Sequence, residues 1–393
     1  MAVTSVNPWT SDCSIKTNKV ILEYVFVNHN RCDLMNKTKV ADTEPKCIED
    51  CPLWYTSMVK DLEGNDFCEM ILKPVAMFEN PFFKSPNKIV FCDVWRSKDE
   101  PAEMNSRFRC NETMNRLKYD AKTGYRPHQA HDPWFGIEQE YCVIDDADKP
   151  VSYSPHNYDY KTLLVYSAIG PHHAKNVGVE RELSSRHLVA CLYAGVKIGG
   201  RDRENGPSQW EFQIGPCEGV TIGDHLYVAR YILYRLAEMY GLRVTFSPIP
   251  VPGEAFMSSG HINFSTSRMR QKGGMEFIRH AIDILSKSSE EPLLGYYDPT
   301  KESTNSIRLQ DTAFKFHPRF NEFVFDVANK RLTSVRIPPL VHENGYGYFE
   351  DRRPSSELDP YSAADGLVRA CIFGDFLKPE YQHLQDLRFW DKE

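Results

Sequence analysis

No stretch of this chain reaches the ~20 consecutive apolar residues that a membrane-spanning helix needs. Nothing between Met1 and Lys19 sets an apolar run behind basic residues in the manner of a secretory leader. Internal repeats, low-complexity tracts and blocks of like charge are also lacking: 47 basic and 54 acidic side chains are interspersed, for a net charge of -7. These absences exclude a solenoid and an electrostatic footprint for nucleic acid or an anionic bilayer. The expectation is a cytoplasmic protein with no nucleic acid and no membrane among its partners, so that any nucleotide it binds is small.

The cysteines lack order as well. There are eleven, an odd number, and Cys13, Cys32, Cys47, Cys51, Cys68, Cys92 and Cys110 precede residue 111 without a regular spacing. Free thiols are expected. Cys47 and Cys51 could form half of a zinc site, but no second Cys or His pair stands at matching spacing.

What is present is enough apolar residue, 41% of 393, for a large core with a smaller unit attached. Residues 1–16 read as a polar N-terminal arm. Residues 17–105 alternate β-type runs (Val20 to Val27, Ile89 to Val94) with Pro- and Asn-rich turns, which predicts a small β-rich domain. From 106 to 393, mixed strands alternate with amphipathic helices. In Asp224 to Tyr240, Leu226, Ala229, Leu233, Leu236 and Tyr240 share one face and Gly241 supplies a stop; Gly274 to Ser286 reads as a second helix. The fold class predicted is α+β, with helices packed on a curved antiparallel sheet.

The chemistry is written in strands whose alternate positions are polar. In Trp134 to Tyr141 the period-2 geometry points Glu138 and Glu140 to the same side. The run Gln209 to Gly215 puts Glu211 and Gln213 on one face, opposite Trp210, Phe212 and Ile214. Gly260 to Thr266 presents His261, Asn263 and Ser265 together, and in Tyr348 to Pro354 Glu350 and Arg352 share a side. Carboxylates with one imidazole suit a hard cation such as Mg²⁺ or Mn²⁺, and arginines suit a phosphoryl group. For any strand alone, a solvated face of locally paired charges is the better explanation; four such strands in one chain favour a site for metal and nucleotide.

Several long segments, in order, carry a resemblance: Met77 to Val90, Pro101 to Arg107, Trp134 to Tyr141, Ala190 to Ile198, Gln209 to Gly219, Asn263 to Thr266, Arg336 to Pro338 and Tyr348 to Pro354. Over residues 17 to 375 the chain resembles eukaryotic-type glutamine synthetases. The resemblance implies a β-grasp-like N-terminal domain and a catalytic domain whose curved sheet lines a funnel-shaped site. It also implies a homo-oligomeric double ring, a decamer, in which sites lie between subunits. One metal position would use Glu140, Glu204 and Glu211, the other Glu138, His261 and Glu350. Trp134, Asn263, Ser265, Arg336 and Tyr348 match positions lining the ATP site. Arg336 and Arg352 match arginines that face phosphate and substrate, and Arg308 matches the one that holds the α-carboxylate of glutamate. Asp351 and the pair His172 and His173 read as structural rather than ligating.

Three features depart from the family pattern. Ser57 occupies the place of an aspartate that binds and deprotonates ammonium; the lesser alternative is a local gap that would bring Asp61 there. Glu254 to Gly260 replaces a glycine-rich loop with bulk, so that Phe256 and Met257 are expected to fill the glutamate pocket. Residues 309 to 321 contain no glutamate where the family's mobile flap carries one, and a one-residue insertion leaves either Lys330 or Arg331 at a further arginine position. Two readings follow: an ATP-dependent carboxylate-amine ligase acting on glutamate and ammonia or on another acid and amine, and a catalytically impaired nucleotide-binding protein that assembles with active paralogous subunits.

Overall fold

The computed structural model describes residues 18–28, 33–59, 67–103, 105–118, 131–152, 166–167, 169, 177–250, 257–289, 305, 325–327 and 333–384. The architecture is α+β, as the sequence pattern predicts, and is organised around two sheets.

The first sheet contains β1 (Val20–Asn28), β2 (Asp33–Ala41), β3 (Trp54–Val59), β4 (Phe67–Glu79) and β5 (Lys88–Trp95) in the order β2-β1-β5-β4-β3, with β1 and β5 parallel and the other pairs antiparallel. The inner strand β1 is a nearly continuous run of β-branched and aromatic residues because both of its faces are covered. Its alternation sorts side chains between two cores: Leu22, Tyr24 and Phe26 join Val90, Cys92 and Val94 in a small core beneath this sheet, whereas Val25 and Val27 join Ile89 and Phe91 in the main core. The sheet curls until its edges meet. Lys37 of β2 donates to the Tyr55 carbonyl of β3 at 2.6 Å and lies 4.3 Å over the ring of Trp54, which packs edge-on against Tyr24.

The second sheet has eight strands: β6 (Trp134–Ile144), β7 (Ile198–Arg203), β8 (Gln209–Glu218), β9 (Arg243–Thr245), β10 (Gly260–Ser265), β11 (Phe325–Val327), β12 (Val335–Ile337) and β13 (Phe349–Asp351). Its order is β11-β12-β13-β10-β6-β8-β7, with β9 on β6, and every pair except β11 with β12 is antiparallel. Register shifts between Phe135 and Ile137 and between Ile198 and Gly200 mark bulges, which bend the strands around one face.

Helices cover the other face: α1 (Ser106–Lys118), α2 (Val177–Ala194), α3 (Thr221–Met239), α4 (Met275–Ser286), α5 (Pro339–Asn344) and α6 (Pro360–Val368). The amphipathic pattern places α3 and α4 closely. Tyr240 closes α3 and Gly241 follows at φ +63°, a left-handed conformation that glycine adopts without a Cβ penalty. α3 begins three residues before the predicted Asp224, and Gly223 has a packing reason: a Cβ there would lie 2.1 Å from Cε1 of Tyr361. That contact brings α6 onto α3, where Asp224 accepts from Arg107 of α1 at 2.8 and 3.1 Å and from the Tyr361 hydroxyl at 2.5 Å. A charged node thus ties three helices together inside the main core. Among the described residues no helix is long and apolar enough to cross a membrane.

Candidate metal and nucleotide site

Cross-strand register builds the site. Glu138 pairs with His261 between β6 and β10, and Glu140 pairs with Glu211 between β6 and β8. Glu350 pairs with both Asn263 and Arg336 across β13. Glu204 follows the last residue of β7 and enters from the turn toward β8. The result is two triples on one wall, Glu138 with His261 and Glu350, and Glu140 with Glu204 and Glu211; within each, one ligand atom per residue lies within 4.8 Å of the others. These are the two groupings that the resemblance implies.

In the first triple, His261 Nδ1 sits between Glu138 Oε2 at 3.3 Å and Glu350 Oε1 at 3.4 Å. Glu350 is nearly buried and is gripped by Arg352 Nη1 at 2.6 Å and Arg336 Nη1 at 3.1 Å. Arg352 lies just past the end of β13, so its place beside Glu350 follows the alternation although the strand has ended. Asn263 donates to Glu138 Oε1 at 3.3 Å. In the second triple, Glu140 Oε2 accepts from the Ser259 amide at 2.9 Å and from Gln209 Nε2 at 2.7 Å. Burial pushes the Glu211 carboxyl up to about 10, with the charges of Glu138, Glu204 and Glu140 adding to the effect.

The donor set of the two triples tests whether a cation fits. Carboxylates crowded in a half-dry wall hold protons unless a cation neutralises them, and oxygen donors with a single imidazole match Mg²⁺ or Mn²⁺ rather than a soft metal. Other polar atoms wait nearby. Trp134 Nε1, Asn263 Oδ1, Arg336 Nε and Arg352 Nε are buried with no partner among the described residues. Buried groups of this kind are ordinarily satisfied, so a cluster of them beside the carboxylates suits a polar ligand.

Trp134 lies beneath the guanidinium of Arg270, 4.0 Å from its ring centroid. Arg270 in turn donates to Ser265 Oγ at 3.0 Å and to Asp132 Oδ2 at 2.9 Å, so the described geometry connects Trp134 to Ser265 through a residue that the strand pattern does not single out. Arg270 follows the end of β10, where no periodicity applies. Gln209 is a second addition to the site, and here the signal exists: it precedes Glu211 by two positions and therefore shares its face. Tyr348 is partly exposed next to β13, and burial raises its phenol with the charges of Glu138 and Glu350 contributing.

Asp351 turns away from the wall and accepts from the backbone amide and guanidinium of Arg353 at 3.0, 3.0 and 2.6 Å. Ser57 is exposed on the edge strand β3, opposite Glu69. Met257 is half-buried, and its carbonyl accepts from Gln209 Nε2 at 2.9 Å. The nine described cysteines are free thiols, and Cys47 and Cys51 belong to neither candidate metal group. Asp61, Phe256, His172, His173, Arg308, the span 309 to 321, Lys330 and Arg331 lie outside the described residues.

Comparison with known proteins gives a consistent result. A family model described as the glutamine synthetase catalytic domain matches residues 114–304. The chain is 39% identical over 367 residues to the glutamine synthetases of Rattus norvegicus and Homo sapiens, covering 93% of each chain, and 39% identical over 359 residues to that of Gallus gallus, covering 91% of each. Among solved structures, apo GmaS without ligand superposes with a TM-score of 0.63 at 17% identity, over 90% of this chain and 77% of that one. That likeness concerns the fold.

Proposed function

This chain belongs to the glutamine synthetase family, and on that premise we propose that it is a metal-dependent, cytoplasmic ligase that uses ATP to activate a side-chain carboxylate and joins it to an amine. The observation that carries the reading is the pair of acidic triples on one sheet wall, each with one ligand atom per residue within 4.8 Å of the others. Glu140, Glu204 and Glu211 would hold one divalent ion, and Glu138, His261 and Glu350 another. Bound there, Mg²⁺ or Mn²⁺ supplies positive charge to phosphate oxygens as phosphoryl transfer proceeds.

The chain's own residues divide the remaining work. Trp134 under Arg270 offers a flat cationic platform for the purine, and Asn263, Ser265 and Tyr348 line its approach. Arg336 and Arg352, anchored through Glu350, keep their Nε donors free for the transferring phosphoryl group. An acid's carboxylate oxygen then attacks the γ-phosphorus, ADP leaves, and the acyl phosphate yields to the nitrogen of the amine with loss of inorganic phosphate. The family's substrates, glutamate and ammonia, are the first pair to test, and Arg308 is the residue proposed to hold the α-carboxylate. A double ring would complete sites between subunits.

The exposed hydroxyl of Ser57 favours one further reading, a nucleotide-binding subunit without turnover that joins active paralogues. Phosphate release from purified protein with MgATP, glutamate and either ammonium or hydroxylamine separates the two. Release that needs both substrates and disappears in Glu140→Ala supports the ligase; ATP binding without release across a panel of acids and amines overturns it.

A further inference from the structure

The turn from β7 into β8 opens with Glu204 of the second triple and closes on Gln209, the first residue of β8, and it is held from behind by a carboxylate that belongs to neither triple. Glu180, in the first turn of α2, is fully buried. Its Oε1 accepts from the hydroxyl of Ser208 at 2.6 Å and its Oε2 from Trp210 Nε1 at 3.2 Å. Burial raises its carboxyl despite these donors and the positive charge of Arg203.

Ser208 is the unusual member. Its φ is +55°, in the left-handed region, although it carries a Cβ and is fully buried. A conformation of that kind persists only where the surroundings over-determine it. Here they do so on several sides: the hydroxyl donates to Glu180, accepts from the Ser152 amide at 2.8 Å and lies 2.9 Å from the Ser152 hydroxyl, while the Ser208 carbonyl accepts from the Val143 amide of β6 at 2.9 Å.

The left-handed turn sets the direction of the next residue. Gln209 accepts the Gly206 amide on Oε1 at 2.8 Å, and its Nε2 donates to Glu140 at 2.7 Å, to the Met257 carbonyl at 2.9 Å and to Ser258 Oγ at 3.2 Å. Its backbone carbonyl accepts the Glu204 amide at 2.9 Å. A continuous chain of bonds therefore runs from Glu180 through Ser208 to Gln209, which touches both Glu140 and Glu204.

We propose that Glu180 is a positioning residue for the Glu140, Glu204 and Glu211 group, acting through the left-handed Ser208 turn and the side chain of Gln209. The inference rests on the reading of that group as a metal position. It predicts an effect confined to one triple, because the hydrogen bonds named from Glu180 to Gln209 end on Glu140 and Glu204 and not on Glu138, His261 or Glu350. A mere anchor of α2 to β8 would lower stability and leave relative affinities alone.

The test is a Mn²⁺ titration of the full chain, following free Mn²⁺ by electron paramagnetic resonance, with Glu140→Ala and His261→Ala identifying the two classes of site. Glu180→Gln keeps the shape but replaces one of the two accepting oxygens by a donating amide group. It is expected to weaken the class that Glu140→Ala removes by about tenfold or more, the range found when a group that orients a metal ligand is lost, and to leave the class that His261→Ala removes unchanged. Ser208→Gly removes the hydroxyl while tolerating φ +55°; it is expected to shift the same class, and it carries the test if Glu180→Gln does not fold. Unchanged affinity in a folded variant, or equal weakening of both classes, overturns the inference. Wild-type protein that binds no Mn²⁺ overturns the metal reading and the inference together.

Discussion

Glu140 and Glu211 face each other directly across the β6–β8 ladder, an arrangement that destabilises a sheet when both are charged. Burial and acidic neighbours push Glu211 from an ordinary value of 4.5 up to about 10. Below pH 4.5 the folded and unfolded chains both hold this proton. Between 4.5 and 10 the unfolded chain releases it while the folded one keeps it, so this group makes stability fall as pH rises through that window. A cation held by Glu140, Glu204 and Glu211 would replace the proton. The melting temperature of metal-free protein is expected to drop from about pH 6 to about pH 9, and saturating Mn²⁺ to raise it more at the higher pH; at a hundredfold excess over the dissociation constant the stabilisation is about 2.7 kcal/mol. A metal-free melting temperature independent of pH, with no response to Mn²⁺, would remove the basis for a cation at this position.

Much of this wall is legible in the sequence because a strand's period is two. Glu138 with Glu140, and His261 with Asn263 and Ser265, fall on one face by alternation alone. Glu204 does not. It follows the end of β7, where alternation stops, and only the resemblance to a family points to it. Helix α2 carries no clear amphipathic signal for a related reason: Glu180, Ser184 and His187 are buried on its inner side, so a polar stripe faces the core. Their partners, Ser208 and Trp210 for Glu180 and the Ala229 carbonyl for His187, come from distant elements. A buried polar side chain satisfied by such contacts has no signature in its own segment. Arg352 shows the opposite case, since its alternation with Glu350 holds one residue beyond the strand.

Gly260 precedes His261 and turns the other way. A Cβ there would meet Leu358 Cδ2 at 2.0 Å and the Ser355 carbonyl oxygen at 2.4 Å; a side chain can swing aside, but a backbone carbonyl moves only with its strand. Gly260→Ala is expected to cost about 1–3 kcal/mol, read as a lower denaturant midpoint with an unchanged slope. It should also weaken Mn²⁺ binding in the class that His261→Ala removes. A variant as stable as the parent would mean that the neighbouring segment relaxes freely.

The node joining α1, α3 and α6 has a predicted order of costs. Asp224 is 5% exposed at its side chain and pairs with Arg107 at 15%. Asp224→Asn leaves that buried guanidinium, among the described residues, with the more distant Asp93 at 3.9 Å as counter-charge, at a cost of about 3 kcal/mol. Tyr361→Phe removes one hydroxyl from the same carboxylate and is expected to cost about 1 kcal/mol. Chemical denaturation of both variants measures the difference. Equal costs would show that the hydroxyl, not the charge pair, holds α6 in place.

Ser57 offers the most direct test of what the amine site demands. It is exposed on β3 with Glu69 as its cross-strand neighbour, and a hydroxyl there provides no anionic charge for ammonium. If the family's use of an aspartate at this place extends to this chain, Ser57→Asp restores a group that can attract the cation and take its proton. Kinetics with ammonium are then expected to improve by at least about tenfold in kcat/KM, below the ~10²–10⁴-fold typical of a fully positioned general base. The gain stays below that range because the new carboxylate would stand opposite Glu69, and like charges so placed cost a few tenths of a kcal/mol. The gain should be small with a bulky primary amine that arrives neutral and needs no such carboxylate. Improvement with ammonium alone would place the departure from the family in the amine step. No change with either amine, in a variant that still binds ATP and metal, would mean that this edge of the first sheet does not meet an active site, and that the subunit contributes nucleotide binding rather than turnover.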